Sequence, residues 1–137
     1  MKYLKSILFI LVLVIFDQIT KLYFLGKDIF ISDFFSFKFV ANTGTSFGLL
    51  KNNNLIFIFV MLFVMVFILY YYDKYKSYSL AFNFILAGSF GNLIDRIFRG
   101  YVVDFIYFKF WYVFNLADLF ITIGSLILIY YFFKEKD

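Results

Sequence analysis

Four long apolar runs occupy most of this sequence and restrict what the chain can fold into. They cover residues 4–25, 55–72, 80–98 and 113–133. Each run has about the 20 apolar residues that an α-helix needs to cross the hydrocarbon core of a bilayer. The chain is 64% hydrophobic, whereas about half of the residues of a soluble domain are apolar. The sequence therefore predicts an all-α membrane protein, a single domain over residues 1–137 with four transmembrane helices.

The two long connections between these runs predict structure outside the bilayer core. The first, residues 26–54, is too long for a hairpin link, and within it residues 35–39 alternate apolar and polar side chains with period two, which is typical of a strand. Gly44 and Gly48 then mark turns, so that we expect a small β-sheet on the outer membrane face. The second connection, residues 99–112, is dense in aromatic residues and predicts an interfacial segment.

Charge predicts the orientation of the chain in the membrane. Four spans place both termini on one side, and Lys74 and Lys76 in the shortest connection favour the cytoplasm for that side. Lys2 and Lys5 before an apolar run resemble the start of a signal peptide. No small-x-small cleavage site follows, and the run contains charged residues, so that we expect a retained first helix.

The residue types that are missing restrict the chemistry. The chain has no cysteine and no histidine, which excludes disulfides, thiol nucleophiles, Ser-His triads and the usual zinc ligands. Carboxylates remain as the reactive groups, and we expect neither a metal nor a cofactor. The net charge of +4 comes from scattered lysines without a basic block. We therefore expect membrane lipid, and not nucleic acid, as a partner of these charges. We also expect the chain to be a monomer.

Ionisable side chains within the apolar runs are candidates for function. Each costs about 2.5–3.5 kcal/mol on insertion and needs a partner, a wet cavity or a role. The set comprises Asp17, Lys21, Asp95, Arg96 and Asp118, with Asp104 at the membrane rim. Asp17 and Lys21 are four residues apart and can pair on one helix face. This pair either neutralises itself near a helix end or braces a site.

Two other polar groups leave the same choice open. Asn92, Asp95 and Arg96 share one helix face near the outer end of the third run, as an ion network or as part of a site. Asn115 and Asp118 are three residues apart in the first turns of the fourth run. There, Asp118 either forms a packing hydrogen bond with Asn115 or acts chemically.

Asp104 lies between apolar residues, where the chain returns to the membrane. Thirteen residues separate it from Asp118, so that the two carboxylates can meet if the connection folds back onto the fourth span. Two neighbouring carboxylates cannot both ionise easily, and one then acts as an acid while the other activates water, as in aspartic proteases. By itself, Asp104 is more often a solvated loop residue. Asn42 and Gly44 belong to a turn-like run, 42–48, that can present donors to a peptide.

Five short motifs follow one another along nearly the whole chain. They are DQITK at 17–21, NTGTSFG at 42–48, GNLIDR at 91–96, VVDF at 102–105 and FNLAD at 114–118. Each alone is common, but five in this order at these spacings are highly specific. Together they resemble the motifs of the bacterial lipoprotein signal peptidase family, signal peptidase II.

This resemblance implies a four-helix aspartic peptidase of the bacterial cytoplasmic (inner) membrane. It implies cytoplasmic termini, an extracytoplasmic β cradle within 26–54 and an active site toward the outer face. Asp104 and Asp118 would be catalytic. Substrate would contact Asn42, Gly44, Asn92, Arg96 and Asn115, with support from Asp17, Lys21, Asp95 and Ala117. The implied reaction removes the signal peptide of a diacylglyceryl-modified prolipoprotein on the amino side of the lipidated cysteine.

One departure and two alternatives accompany the resemblance. Thr45 and Ser46 stand where the family usually has two alanines, which predicts an effect on fine specificity or inhibitor fit rather than on the reaction. A small proton-coupled transporter would use Asp17, Asp95 and Asp118 as a relay. A non-catalytic assembly subunit would use the polar residues for helix contacts. Against the transporter, the polar residues cluster toward one membrane face.

Overall fold

The computed structural model describes residues 2–44 and 53–134. Thr45 and Ser46, for which the sequence predicts an effect on specificity, lie outside the described residues, as does the turn expected at Gly48. The helices are α1 (Leu4–Phe24), α2 (Asn54–Tyr71), α3 (Ser79–Phe98) and α4 (Leu116–Lys134). The strands are β1 (Asp28–Phe30), β2 (Phe35–Asn42) and β3 (Val102–Phe108), and a 3-10 turn at Lys76–Tyr78 precedes α3.

Three of the described helices, α1, α2 and α4, are long and apolar enough to cross a membrane. The third helix, α3, has 20 residues but does not meet the same test of composition, so that the prediction of four spans is not confirmed. The reason is that α3 is enclosed by the other helices, and a helix that faces protein can carry polar residues that lipid would exclude. Its buried polar residues are Asn83, Ser89, Asn92, Asp95 and Arg96.

Glycines bring α3 and α4 into backbone contact. A Cβ atom on Gly88 would lie 2.3 Å from the carbonyl oxygen of Ala117, and one on Gly124 would lie 2.7 Å from the carbonyl oxygen of Ala81. Small residues at such a crossing let two helices approach closely. The contact holds the first turn of α4 against the polar half of α3.

The rest of the bundle interior contains two groups of side chains, one apolar and one polar. An apolar core consists of Met65, Ile68, Phe82, Ile85, Leu86 and Leu93. At its far end, the Tyr72 hydroxyl lies 2.8 Å from Ser6 Oγ and donates to Asn83 Oδ1 at 2.7 Å. Polar interactions in the described interior are thus concentrated at two ends, separated by apolar packing.

The three strands form an antiparallel sheet in the order β1-β2-β3. The expected small sheet is therefore present in the first connection. Its third strand comes from the second connection, where the sequence predicted only an interfacial segment. β2 pairs with β3 from Phe35 opposite Phe108 to Asn42 opposite Val102. The sheet leans on the end of α1, because the ring of Phe24 stacks on the rings of two sheet phenylalanines at 4.4 and 4.6 Å.

A short hairpin connects β3 to α4. Ile106 and Phe114 form an isolated antiparallel bridge, in which the Phe114 amide donates to the Ile106 carbonyl at 3.1 Å. Because Phe114 is held in this bridge, α4 begins at Leu116, later than the predicted run that starts at 113. The bridge returns the chain so that the beginning of α4 lies beside β3.

Candidate active site

Both aspartates of the predicted dyad accept hydrogen bonds from one residue, Asn115. Asp104 lies within β3 and is 1% exposed, whereas Asp118 lies in the first turn of α4 and is half-buried. Asn115 donates from Nδ2 to Asp104 Oδ1 at 2.7 Å and from its backbone amide to Asp118 Oδ2 at 3.3 Å. The fold of the second connection therefore brings together two carboxylates that have 13 residues between them in sequence.

The first turn of α4 determines where Asp118 lies. Asn115 occupies the N-cap position, and its Oδ1 accepts a hydrogen bond from the Asp118 amide at 2.9 Å. In the other direction, Asp118 Oδ2 accepts from the Asn115 amide at 3.3 Å. Such a reciprocal capping box satisfies two amides that the helix cannot pair itself. An N-cap of this type contributes about 0.5–2 kcal/mol. The interaction that starts the helix therefore also orients the carboxylate.

Two more asparagines complete the contacts of the dyad. Asn92 Nδ2 donates to Asp118 Oδ1 at 2.9 Å, and Asn42 Nδ2 donates to Asp104 Oδ2 at 2.8 Å. Within residues 2–44 and 53–134, each of the four carboxylate oxygens thus accepts one donor. A carboxylate oxygen has two acceptor sites, and each of these contacts occupies one of them.

Burial makes the Asp104 carboxyl a weaker acid than an exposed aspartate. Loss of hydration and, next, repulsion from the nearby Asp118 raise the pKa of Asp104 to about 7, against the stabilising hydrogen bonds from Asn42 and Asn115. A carboxyl with such a pKa is partly protonated near neutrality and can give or take a proton there. The geometry therefore suits acid and base chemistry shared between two carboxyl groups.

Lys21 forms the centre of a buried polar cluster below the dyad. Its ammonium lies 2.8 Å from Asp17 Oδ2 and 3.2 Å from Asp95 Oδ2, and it donates to Asn92 Oδ1 at 2.9 Å. Lys21, Asp17 and Asp95 are all fully buried. The three hydrogens of the ammonium thus have three acceptors. The expected Asp17–Lys21 pair is present and extends to α3.

The two carboxylates that bind Lys21 each hold a backbone amide next to the dyad. Asp17 Oδ1 accepts from the amide of Ala117, which precedes Asp118, at 2.9 Å. Asp95 Oδ2 accepts from the amide of Val103, which precedes Asp104, at 3.0 Å. One ammonium therefore connects, through two carboxylates, the backbone on the N-terminal side of both dyad residues.

Two residues of this cluster were missed by the sequence analysis. Gln18 Nε2, which carries two hydrogens, lies within hydrogen-bond distance of three acceptors, Asp17 Oδ2 at 3.2 Å, Asp95 Oδ1 at 3.2 Å and the Gly91 carbonyl at 3.0 Å. Arg99 forms an ion pair with Asp95. The spacing of four residues between Asp95 and Arg99 could have indicated this pair, and the amide of Gln18 in an apolar run was a similar signal.

Arg96 contacts the chain at Gly44, after β2, and at Asn54, the first residue of α2. Its guanidinium donates from Nη2 to the Gly44 carbonyl at 2.8 Å and from Nη1 to Asn54 Oδ1 at 3.1 Å, and it lies 4.3 Å from the centre of the Phe57 ring. The Gly44 amide in turn donates to Asn42 Oδ1 at 2.9 Å. Arg96 therefore reaches Asp104 through Gly44 and Asn42. The sequence analysis did not identify the contact between Asn54 and Arg96.

All of the predicted site residues belong to one connected group. They are Asp104, Asp118, Asn42, Gly44, Asn92, Arg96, Asn115, Asp17, Lys21, Asp95 and Ala117. Within residues 2–44 and 53–134, no group of three or more His, Cys, Asp or Glu side chains is arranged to hold a metal ion. The arrangement can bind and move protons between two carboxyl groups.

Comparisons with known proteins identify a matching family and relatives of this chain. The family model described as signal peptidase (SPase) II matches residues 9–134. A lipoprotein signal peptidase of Clostridioides difficile is 41% identical, over 96% of this chain and 97% of its own length. The lipoprotein signal peptidase of Caldanaerobacter subterraneus is 42% identical, over 91% of this chain and 93% of its own.

Solved structures with a similar fold are also known. One, described as a bacterial membrane enzyme, superposes with a TM-score of 0.88 at 29% identity and covers 97% of this chain and 90% of its own. A second with the same description has a TM-score of 0.81 at 31% identity and covers 93% of this chain and 92% of its own.

Proposed function

This chain belongs to the signal peptidase II family and removes the signal peptides of lipoproteins, and we propose that it does so as an aspartic peptidase with Asp104 and Asp118 as catalytic residues. One observation carries the proposal: Asn115 donates to both carboxylates while the pKa of Asp104 is raised to about 7. The substrate is a diacylglyceryl-modified prolipoprotein, cut on the amino side of its lipidated cysteine.

In the first step, a water molecule attacks the scissile carbonyl carbon. Asp118, which is half-buried and accessible to water, takes one proton from the water as its oxygen bonds to the carbon. Asp104 gives its proton to the carbonyl oxygen. The product of the step is a tetrahedral diol, with Asp104 ionised and Asp118 protonated.

In the second step, the diol collapses and the carbon–nitrogen bond breaks. Asp118 donates the proton that it took from water to the leaving nitrogen. Asp104 recovers a proton from one hydroxyl of the diol as the carboxylic acid product forms. Both carboxyl groups then return to their starting protonation, as the reversal of general acid and general base roles requires.

The asparagines around the dyad stabilise the charges that change during these steps. Asn42 and Asn115 donate to Asp104 as it becomes negative, and Asn92 donates to Asp118. We propose that the substrate contacts Asn42, Gly44, Asn92, Arg96 and Asn115. Arg96 Nε is a buried donor without a partner among the described residues. Asp17, Lys21, Asp95 and Ala117 support the site from below.

The protein lies in the bacterial inner membrane as a monomer, with α3 as a fourth crossing and both termini in the cytoplasm. The dyad and the sheet then face the outer side, where the signal helix of the substrate enters from lipid. Supporting this placement, Asp17, Asp95 and Asp118 lie at the helix ends next to the sheet. A proton relay across the membrane is not favoured, because apolar core residues separate these carboxylates from the polar group around Tyr72.

Substitution of the dyad tests the assignment. We expect Asp104→Asn and Asp118→Asn each to reduce cleavage of a lipidated precursor in detergent by at least about 10²- to 10⁴-fold, the usual contribution of a general acid or base. Asp33→Asn, at an exposed aspartate in the turn between β1 and β2, serves as the matched control and should leave the rate unchanged. Near-normal cleavage by either dyad variant would refute the aspartic mechanism. An unlipidated precursor should remain uncut by the native chain.

A further inference from the structure

Three aromatic side chains project from the edge of the sheet next to α4. They are Phe34 in the turn between β1 and β2, and Phe110 and Trp111 at the end of the hairpin that follows β3. The two turns are joined because the Lys109 amide donates to the Phe34 carbonyl at 2.9 Å. The exposed fractions are 59% for Phe34, 87% for Phe110 and 59% for Trp111. We call Phe34, Phe110 and Trp111 the aromatic tip.

The backbone presents Phe110 outward at an energetic cost. Phe110 has a φ of 74°, in the left-handed region that a bulky residue rarely adopts. Such strain persists where the surrounding structure imposes it and is concentrated at functional positions. Here the neighbouring turn, in which the Trp111 amide donates to the Phe108 carbonyl at 3.0 Å, holds the strained residue. The result is a large apolar ring directed away from the protein.

The aromatic tip has the exposure of a lipid-facing surface. Phe110 is as exposed as Phe98 at 80% and Tyr70 at 78%, which lie at the ends of helices in this membrane protein. Aromatic residues with a neighbouring lysine are typical of the membrane–water interface, where a lysine stem lies along apolar surface and its ammonium reaches polar groups. Lys109 meets this description, since its ammonium lies 5.5 Å from the centre of the Phe110 ring.

The position of the aromatic tip in the chain brings it close to lipid. Trp111 precedes the first residue of α4, Leu116, by five residues, which span at most about 18 Å when fully extended. The bridge between Ile106 and Phe114 shortens this distance further. Between the turns is a recess of about 480 Å³, lined by Phe34, Phe108, Lys109, Phe110, Trp111 and Phe114. The recess is apolar except for the lysine at its edge.

We propose that the aromatic tip is a lipid-docking surface that inserts into the headgroup region of the leaflet in which α4 begins. Its partner is the phospholipid surface itself, with the recess next to Lys109 receiving part of a lipid molecule. Docking holds the hairpin, and through it β3 with Asp104, at a fixed depth in the bilayer. The inference is independent of the catalytic assignment, because it requires only that α4 enters the membrane.

Tryptophan fluorescence tests this directly, since Trp111 is the only tryptophan of the chain. The full chain is reconstituted into phosphatidylcholine vesicles that carry bromine either high on the acyl chains or near their ends. We expect blue-shifted emission and at least twofold stronger quenching by the high bromine than by the deep one. Emission typical of water, with full quenching by aqueous iodide and none by brominated lipid, would overturn the proposal. A blue shift without quenching by brominated lipid, which disappears on dilution to one chain per vesicle, would indicate that a second copy of the chain covers Trp111. This result would also overturn the proposal.

A pair of variants locates the contact. Phe110→Ser should reduce quenching by brominated lipid at least twofold, and the chain should still fold because this ring is 87% exposed. Val40→Ser also replaces an exposed apolar side chain by serine, but near the opposite end of β2, and it should leave quenching unchanged. Equal effects of the two variants, or no effect of Phe110→Ser, would show that the aromatic tip is not the docking surface. Since Asp104 and Asp118 remain intact, these outcomes are separate from failure of the proposed dyad.

Discussion

Asn115 performs two separable tasks, and substitution can divide them. Its Oδ1 caps α4 by accepting from the Asp118 amide at 2.9 Å, and its Nδ2 donates to Asp104 at 2.7 Å. Serine is as good an N-cap as asparagine, but its short side chain has no amide group to reach Asp104. Alanine lacks both the cap and the donor. Asn115→Ser therefore removes one task and Asn115→Ala removes two.

The expected magnitudes follow from these two bonds. A hydrogen bond to a charged group contributes about 1.5–3 kcal/mol, and 1.36 kcal/mol corresponds to about a tenfold change in rate. Because Asp104 gains its negative charge during the reaction, loss of the Asn115 donor should lower kcat by about 10- to 150-fold in both variants. Loss of the cap should lower the free energy of unfolding by about 0.5–2 kcal/mol in Asn115→Ala alone.

The pH dependence gives a second measure of the same bond. In the proposed mechanism, Asp104 must carry a proton, so that kcat should fall as the pH rises through the pKa of Asp104, about 7. The Asn115 hydrogen bond lowers that pKa, because it stabilises the charged carboxylate. Its removal raises the pKa further, and the fall in activity should move to higher pH in both variants.

The assay is the rate of cleavage of a lipidated precursor between about pH 5 and 9, a range that spans the raised pKa of Asp104, about 7. Denaturation of the same variants in detergent gives the free energy of unfolding. If Asn115→Ser retained the native kcat and the native pH profile, Asn115 would not act on Asp104 during the reaction. If Asn115→Ser lost as much stability as Asn115→Ala, the capping argument would be wrong.

Three further predictions concern the surroundings of the dyad. Lys21→Met leaves the buried Asp17 carboxylate without its ammonium partner and Asp95 with Arg99 as its remaining cation, and it should lower the free energy of unfolding by about 3–5 kcal/mol; a native free energy of unfolding in a denaturation experiment would contradict this. Gly91→Ala places a Cβ atom 2.5 Å from Asp17 Oδ2 and should lower kcat at least tenfold. Gly124→Ala places a Cβ atom 2.7 Å from a backbone carbonyl of α3 and should lower the free energy of unfolding without changing kcat. Equal effects of the two variants on kcat would refute the distinction. Arg96→Lys retains the charge but loses the fork of donors, and it should lower kcat/KM at least tenfold in the precursor assay, with native kinetics as the contrary result.

The sequence predicted the local pairs of the site but not the strand that carries Asp104. Helical spacing is sufficient to place Asp17 next to Lys21, because residues four apart share a helix face. β3 gave no such signal, since Val102, Val103 and Phe105 are buried along with Asp104. A strand covered on both faces has no alternation of polar and apolar residues. Its partner in the sheet, and hence the meeting of the dyad, could not be read from periodicity.

Contacts to backbone groups were the other part that the sequence could not provide. Asp95 was identified as a polar residue that needs a partner, but one of its partners is the amide of Val103. Arg96 was expected to contact substrate, and in the structure it holds the carbonyl of Gly44. Every residue carries a backbone donor or acceptor, so that no residue type marks which one is used. Only the resemblance to the family predicted roles for these residues, and those roles stay predictions.

The cluster around Lys21 affects how freely the outer connection can vary. The ammonium binds Asp17 and Asp95, which hold the amides before Asp118 and Asp104. The positions of Asp104 and Asp118 are thus held from beneath, by groups in α1 and α3, as well as by the pairing of β3 with β2 and the bridge between Ile106 and Phe114. Insertions or deletions at 109–113, between the end of β3 and that bridge, should therefore leave the proposed dyad in place. The tip of the hairpin can then differ for a different lipid environment without a change in the dyad.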